Sequence, residues 1–77
     1  MNEQEARALA LWIKDHDTRF IANVANTKNT WTVTLTDQDG GEQEPASSLA
    51  DYKSRFVDVP TCAPTIREKW ERFETSR

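Results

Sequence analysis

The sequence predicts a small α+β domain. It has an N-terminal helix, an antiparallel β-hairpin that becomes a three-stranded meander if residues 42–46 pair, a short helix, and a C-terminal helix. The helices lie on one face of the sheet. Three observations carry this prediction. The stretch 30-TWTVTLTD-37 alternates polar and apolar residues with the period of a strand. A second stretch rich in β-branched and aromatic residues, 18-TRFIANVA-25, precedes it across the turn-like 26-NTKN-29. Segments at both ends of the chain repeat apolar residues at helical spacing. Seventy-seven residues make one domain, 1–77.

The first helix is expected over residues 3–15. Asn2 is placed to cap it, with the Glu5 carboxylate three residues on. Ala6, Leu9, Ala10 and Ile13 form its apolar stripe, with Trp12 on the flank. The helix is expected to end around Asp15, His16 and Asp17.

The hairpin register follows from burial. A turn centred on Thr27 and Lys28 sets Val24 against Trp31, Ala22 against Val33 and Phe20 against Leu35. Every apolar pair then shares a face, and a slip of one residue mixes the faces. Asp39, Gly40 and Gly41 mark a second turn. Residues 42–46 are polar and contain Pro45, so a third strand there belongs at a sheet edge.

Ser48 followed by Asp51 resembles a helix cap. Leu49, Tyr52 and Phe56 give a short amphipathic helix, and Val57 and Val59 are expected to be extended before Pro60. Thr65 and Glu68 read as a capping box for a last helix over residues 65–75, with Ile66, Trp70 and Phe73 on its apolar side. The expected core is Leu9, Ile13, Phe20, Val24, Trp31, Val33, Leu35, Phe56, Ile66, Trp70 and Phe73.

Composition narrows the function classes. A chain this short buries roughly 60% of its unfolded surface, so its core is small. No run is long enough to span a bilayer, and no apolar signal-like stretch follows Met1. Cys62 is the only cysteine, which rules out an intrachain disulfide and fits a reducing, cytoplasmic setting. The net charge of −3 is uneven. Residues 37–51 hold Asp37, Asp39, Glu42, Glu44 and Asp51 and no basic group, and residues 52–77 carry six basic and four acidic groups.

Groups suited to catalysis are scarce. His16 is the only histidine, and it sits at a helix end beside two aspartates. A metal site there would need further ligands. Cys62 has no imidazole nearby in sequence to generate a thiolate and reads as a packing residue. The carboxylates of residues 37–44 do not match calcium-loop spacing. No metal, cofactor or catalytic residue is assigned, and the chain reads as non-enzymatic.

The strand face opposite the core carries Thr30, Thr32, Thr34 and Thr36, beside Ile21, Asn23 and Ala25. The threonine row resembles the arrays of ice-binding proteins over one strand. Those arrays need a flat grid of several strands, whereas threonine favours any half-solvated strand. The face therefore reads as solvated, and as a shallow docking surface by virtue of Ile21.

The functional expectation is a small protein-binding module: an inhibitor, adaptor or accessory subunit of a larger assembly. A small inhibitor carried by a phage or mobile element has this profile. The candidate contact residues are Asp37, Asp39, Glu42 and Glu44, which steer a partner, with Ile21, Thr32 and Thr34 on the sheet face. The alternative is a nucleic-acid-binding accessory protein that uses Arg67, Lys69 and Arg72 on the last helix, with Lys53, Arg55 and Arg77 adding charge. Acidic residues interleave with those cations, which weakens that case. An open strand edge leaves a homodimer available.

Overall fold

Asn2 sets where the first helix begins. In the computed structural model, which describes residues 1–76, the Asn2 side chain accepts a hydrogen bond of 2.7 Å from the Glu5 N–H. That bond satisfies one of the orphan donors of the first turn. The helix, α1, runs Glu3–His16. Next come β1 (Phe20–Thr27), β2 (Thr30–Asp37) and β3 (Glu42–Ala46). A one-turn helix, α2 (Leu49–Tyr52), continues directly into a π-helical turn over Lys53–Val57. The last element is α3, Pro64–Thr75. The strands form one antiparallel sheet in the order β1-β2-β3.

The hairpin keeps the predicted faces but corrects the register by two residues. Val24 pairs with Val33, Ala22 with Leu35 and Asn26 with Trp31. The turn is centred on Lys28 and Asn29, not on Thr27 and Lys28. Both have positive φ, 52° and 65°. A two-residue hairpin loop that matches strand twist needs positive φ at both positions, and asparagine tolerates that region better than most residues. Asn29 therefore pulls the turn one residue along. An even shift leaves every side chain on its predicted face.

Residues 42–46 do form the third strand. Ala46 pairs with Val33, Gln43 with Leu35 and Glu42 with Thr36, so the ladder is irregular opposite Thr34. Glu44 and Pro45 both fall in that interval. A bulge on an edge strand is where a proline is tolerated.

The π turn corrects the expectation that Val57 is extended. The Asp58 N–H donates to the Lys53 carbonyl at 2.8 Å, five residues back. In α geometry Val57 would lie about 140° round the helix from Tyr52. Widening the turn brings it inward, and both residues are buried. The last helix also starts differently. Ala63 is its N-cap and Pro64 takes the first helical position, where no N–H is needed, so Thr65 is not the cap.

The core lies between the sheet and the helices. Leu9, Ile13, Val33, Leu35 and Trp70 are buried as expected. Phe20, Val24, Trp31, Phe56, Ile66 and Phe73 pack against that core while partly exposed. Trp12 is buried too, not flanking. Its ring lies 4.9 Å from Trp70 and 6.1 Å from Tyr52, both near edge-on. Helix α1 is thus covered on two sides, by the sheet and by α3, and its apolar arc is wider than a single stripe. No helix of the described residues is long and apolar enough to cross a membrane.

Candidate functional site

The helices cover one face of the sheet and leave the other bare. Pairing and alternation fix what lies on the bare face. Ile21 sits opposite Thr36, which sits opposite Glu42. Asn23 sits opposite Thr34, beside the bulge that carries Glu44. Ala25 sits opposite Thr32. Ile21 is 56% exposed, and Glu42 and Glu44 are also exposed. The structure therefore brings Ile21, Thr32, Thr34, Glu42 and Glu44 onto one surface. The threonines are only half-exposed, and the Thr34 hydroxyl donates to the Asn23 carbonyl at 3.1 Å. They line the face but do not dominate it.

The acidic side chains of residues 37–44 differ in their surroundings. One Asp37 carboxylate oxygen accepts from the Asp39 N–H at 3.0 Å and the Gly41 N–H at 2.7 Å. Asp37 thus builds the turn. Gly40 has φ +85°, and a Cβ on Gly41 would come within 2.6 Å of the Asp37 carboxylate. Gly40 supplies the left-handed backbone of this turn, and Gly41 leaves room for the Asp37 carboxylate. Asp39 is exposed, apart from the face residues of β1 and β2.

The three cations of α3 are divided. The Arg67 guanidinium donates to the carbonyls of Val57 and Val59, which ties α3 to the end of the π turn. Lys69 and Arg72 line a groove with Trp12, His16 and Phe73. Arg72 is already paired with Glu68 at 3.1 Å. The His16 ring packs edge-on against Trp12 at 5.3 Å, and its Nδ1 is buried with no hydrogen-bond partner among the described residues. His16 is therefore packed against Trp12, with one ring nitrogen withdrawn from solvent, although it lies at a helix end. Arg77 lies outside the described residues.

Two polar clusters escaped the sequence reading. Asp17 is completely buried. It accepts from the Arg19 backbone N–H at 3.2 Å, from Arg19 Nε at 2.9 Å, from Arg19 Nη2 at 2.8 Å, and from the Tyr52 hydroxyl. Arg19 Nη2 also donates to the Phe56 carbonyl at 2.7 Å. Burial pushes the Asp17 carboxyl up, but the bonds from Arg19 and Tyr52 together outweigh it and hold it below the usual carboxylate value. Burial first, then the Asp17 carboxylate, pushes the Tyr52 phenol far above its ordinary value. Such perturbations often mark functional sites. Here both side chains are sealed from solvent, and each is satisfied by another element of the fold. The cluster is a structural bolt between the end of α1 and α2. Cys62 is buried beside it, with its sulfur 4.0 Å from Arg19 Nη2, in the packing role expected.

The second cluster belongs to Arg55. It donates to both Asp51 oxygens, at 3.1 and 2.9 Å, and to the carbonyls of Glu44 and Pro45, at 3.0 and 3.1 Å. The Ser47 N–H, and then Arg55, hold the Asp51 carboxyl below its usual range. Arg55 thereby clamps β3 to the helical segment. The Ser48–Asp51 cap was legible in sequence, whereas nothing local announced its link to β3.

Among the described residues, no group of three or more His, Cys, Asp or Glu side chains is placed to hold a metal ion. Comparison with protein families, with characterised proteins and with solved structures returns no match.

Proposed function

We propose that this chain is a non-enzymatic protein-binding module, acting as an inhibitor, adaptor or accessory subunit, and that it docks through the bare face of its sheet. The observation that carries this reading is the gathering of Ile21, Thr32, Thr34, Glu42 and Glu44 on one uncovered surface. An exposed isoleucine on one edge strand, with carboxylates on the other, fits a partner surface with an apolar spot and a basic rim. Glu42 and Glu44, with Asp39 near them in the chain, steer; Ile21 and the threonines make contact. The module works in the cytoplasm in this reading, with Cys62 reduced.

The test is affinity capture from the native host lysate, with and without nuclease, using the wild type and a Glu42→Lys/Glu44→Lys variant in parallel. A protein captured after nuclease treatment and lost with the variant supports the reading. A protein captured equally by both removes the face from the account.

One observation favours a second reading. Lys69 and Arg72 share a groove lined also by Trp12, His16 and Phe73, so two cations gather there despite the acidic neighbours. Nucleic acid bound at that groove would be released steeply by salt. Recovery of nucleic acid, with captured proteins lost on nuclease treatment, would move the assignment to Lys69 and Arg72.

A further inference from the structure

The outer edge of β1 is unlike that of β3. No strand of the described residues pairs with it. The ladder begins at Thr27 opposite Thr30, so Thr27, Ala25, Asn23 and Ile21 exchange hydrogen bonds with β2. The intervening residues, Phe20, Ala22, Val24 and Asn26, direct their N–H and C=O groups outward. Two hollows of about 420 and 440 Å³ lie between this edge and α1. Their walls include Leu11, which is 59% exposed, and Ile21, and these two are the large hydrophobic residues that the fold leaves exposed. Lys14 lines both hollows, and Arg7 lines one. No acidic side chain lines either. Lys14 has no ion-pair partner among the described residues, while Arg7 is shared with Glu3 at 2.8 Å.

We infer that the β1 edge accepts an extended segment of a partner protein as a fourth strand, with an acidic side chain of that segment set against Lys14. This deepens the proposed function and rests on it. Main-chain bonds to Phe20, Ala22, Val24 and Asn26 supply the adhesion, as in other strand additions. Side chains on the helix side of the added strand enter the hollows beside Leu11 and meet Lys14. Those on the other side extend the bare face next to Ile21. Charge argues against a second copy of this chain as the occupant. β1 carries no charged residue, and two edges paired about a twofold axis near Asn23 would bring both Lys14 ammonium groups together.

The experiment selects a displayed library of random ten-residue peptides against the wild-type protein, then measures enriched peptides in solution on designed variants. The expected peptides alternate β-branched residues with Asp or Glu, and on binding they protect the Ala22 and Val24 amides from exchange. Lys14→Glu, a surface change on α1, should weaken binding about fivefold or more. Val24→Pro removes one outward N–H while leaving the β1–β2 ladder its partners, and should abolish binding. Glu42→Lys/Glu44→Lys should leave peptide affinity unchanged. The inference fails if no peptide is enriched, if enriched peptides ignore Lys14→Glu and leave the two amides unprotected, or if sedimentation shows a dimer that Val24→Pro dissolves. A lysate partner still lost on Glu42→Lys/Glu44→Lys would then leave the face reading standing without the edge.

Discussion

Replacing Asp17 with Asn tests what holds the end of α1 to the rest of the fold. The carboxylate accepts from three donors of Arg19 and from Tyr52. Asn keeps the shape but offers one acceptor oxygen and turns an NH2 toward groups that are themselves donors. It also leaves the Arg19 guanidinium without its counter-charge. Breaking a buried pair in this way costs about 3–5 kcal/mol. The Arg19 side chain is 30% exposed, so water recovers part of the loss and the lower end, about 3 kcal/mol, applies. A domain of this length is stable by roughly 4–12 kcal/mol, so the variant gives up a large fraction. Urea unfolding at pH 7, followed by tryptophan fluorescence and circular dichroism, measures it, with the exposed Asp15→Asn as reference at within about 0.5 kcal/mol of wild type. The effect also has a pH signature. The folded carboxyl titrates below its unfolded value of 3.8. Its contribution is therefore present above that value and lost as pH falls through the folded one. The gap between wild type and variant should close below about pH 4. A loss under about 1 kcal/mol at pH 7, with an unchanged denaturant slope, would refute the argument that the cluster is a bolt.

Other perturbations probe other parts of the fold. Tyr52 is the only tyrosine, so absorbance at the phenolate band should show no ionisation near the ordinary value of 10 until the protein unfolds; a reversible native titration near 10 would contradict its burial against Asp17. Arg55→Met removes the donors to Asp51, Glu44 and Pro45 and should cost about 1–3 kcal/mol, with amide exchange in β3 rising more than in β1; uniform exchange would deny the clamp. Lys28→Asn with Asn29→Gly installs the residues that a two-residue turn with positive φ prefers, and should stabilise by about 0.5–1 kcal/mol in thermal melts. Destabilisation would mean the turn is not the one described. Gly41→Ala should disrupt the second turn, because the added methyl meets the Asp37 carboxylate, and a melt unchanged from wild type would show that the carboxylate moves aside freely.

The fold was legible wherever period and capping act locally. The alternation in 30-TWTVTLTD-37 assigned both sheet faces correctly, because side-chain period in a strand does not depend on register. Register itself depended on the turn, and the decisive residue, Asn29, carries its preference without the glycine that usually announces it. Trp12 was placed on the flank because its far side is covered by α3, and Tyr52 was left out of the expected core because it closes against Trp12, Asp17 and Trp70, all distant in sequence. Asp17 read as a helix stop, which it is. Its second role needs Tyr52, thirty-five residues on, and no local pattern records such a partner. The candidate face was partly legible: Ile21, Thr32 and Thr34 followed from alternation, and Glu42 and Glu44 joined them only once β3 was seen to pair. The turn-building role of Asp37 was not legible, because net charge along a loop does not say which carboxylate accepts from the turn's own N–H groups.

The two edges of the sheet also differ in what they permit. On β3, Pro45 interrupts the row of donors, and Arg55 occupies the carbonyls of Glu44 and Pro45. On β1 the row is intact. Growth of a β-assembly from copy to copy requires each unit to present two competent edges, one to be added to and one to add. This sheet has a single one. Under the strand addition inferred above, β1 receives a strand and the β3 side offers nothing to continue from, so such an assembly would end at this molecule and not propagate through it.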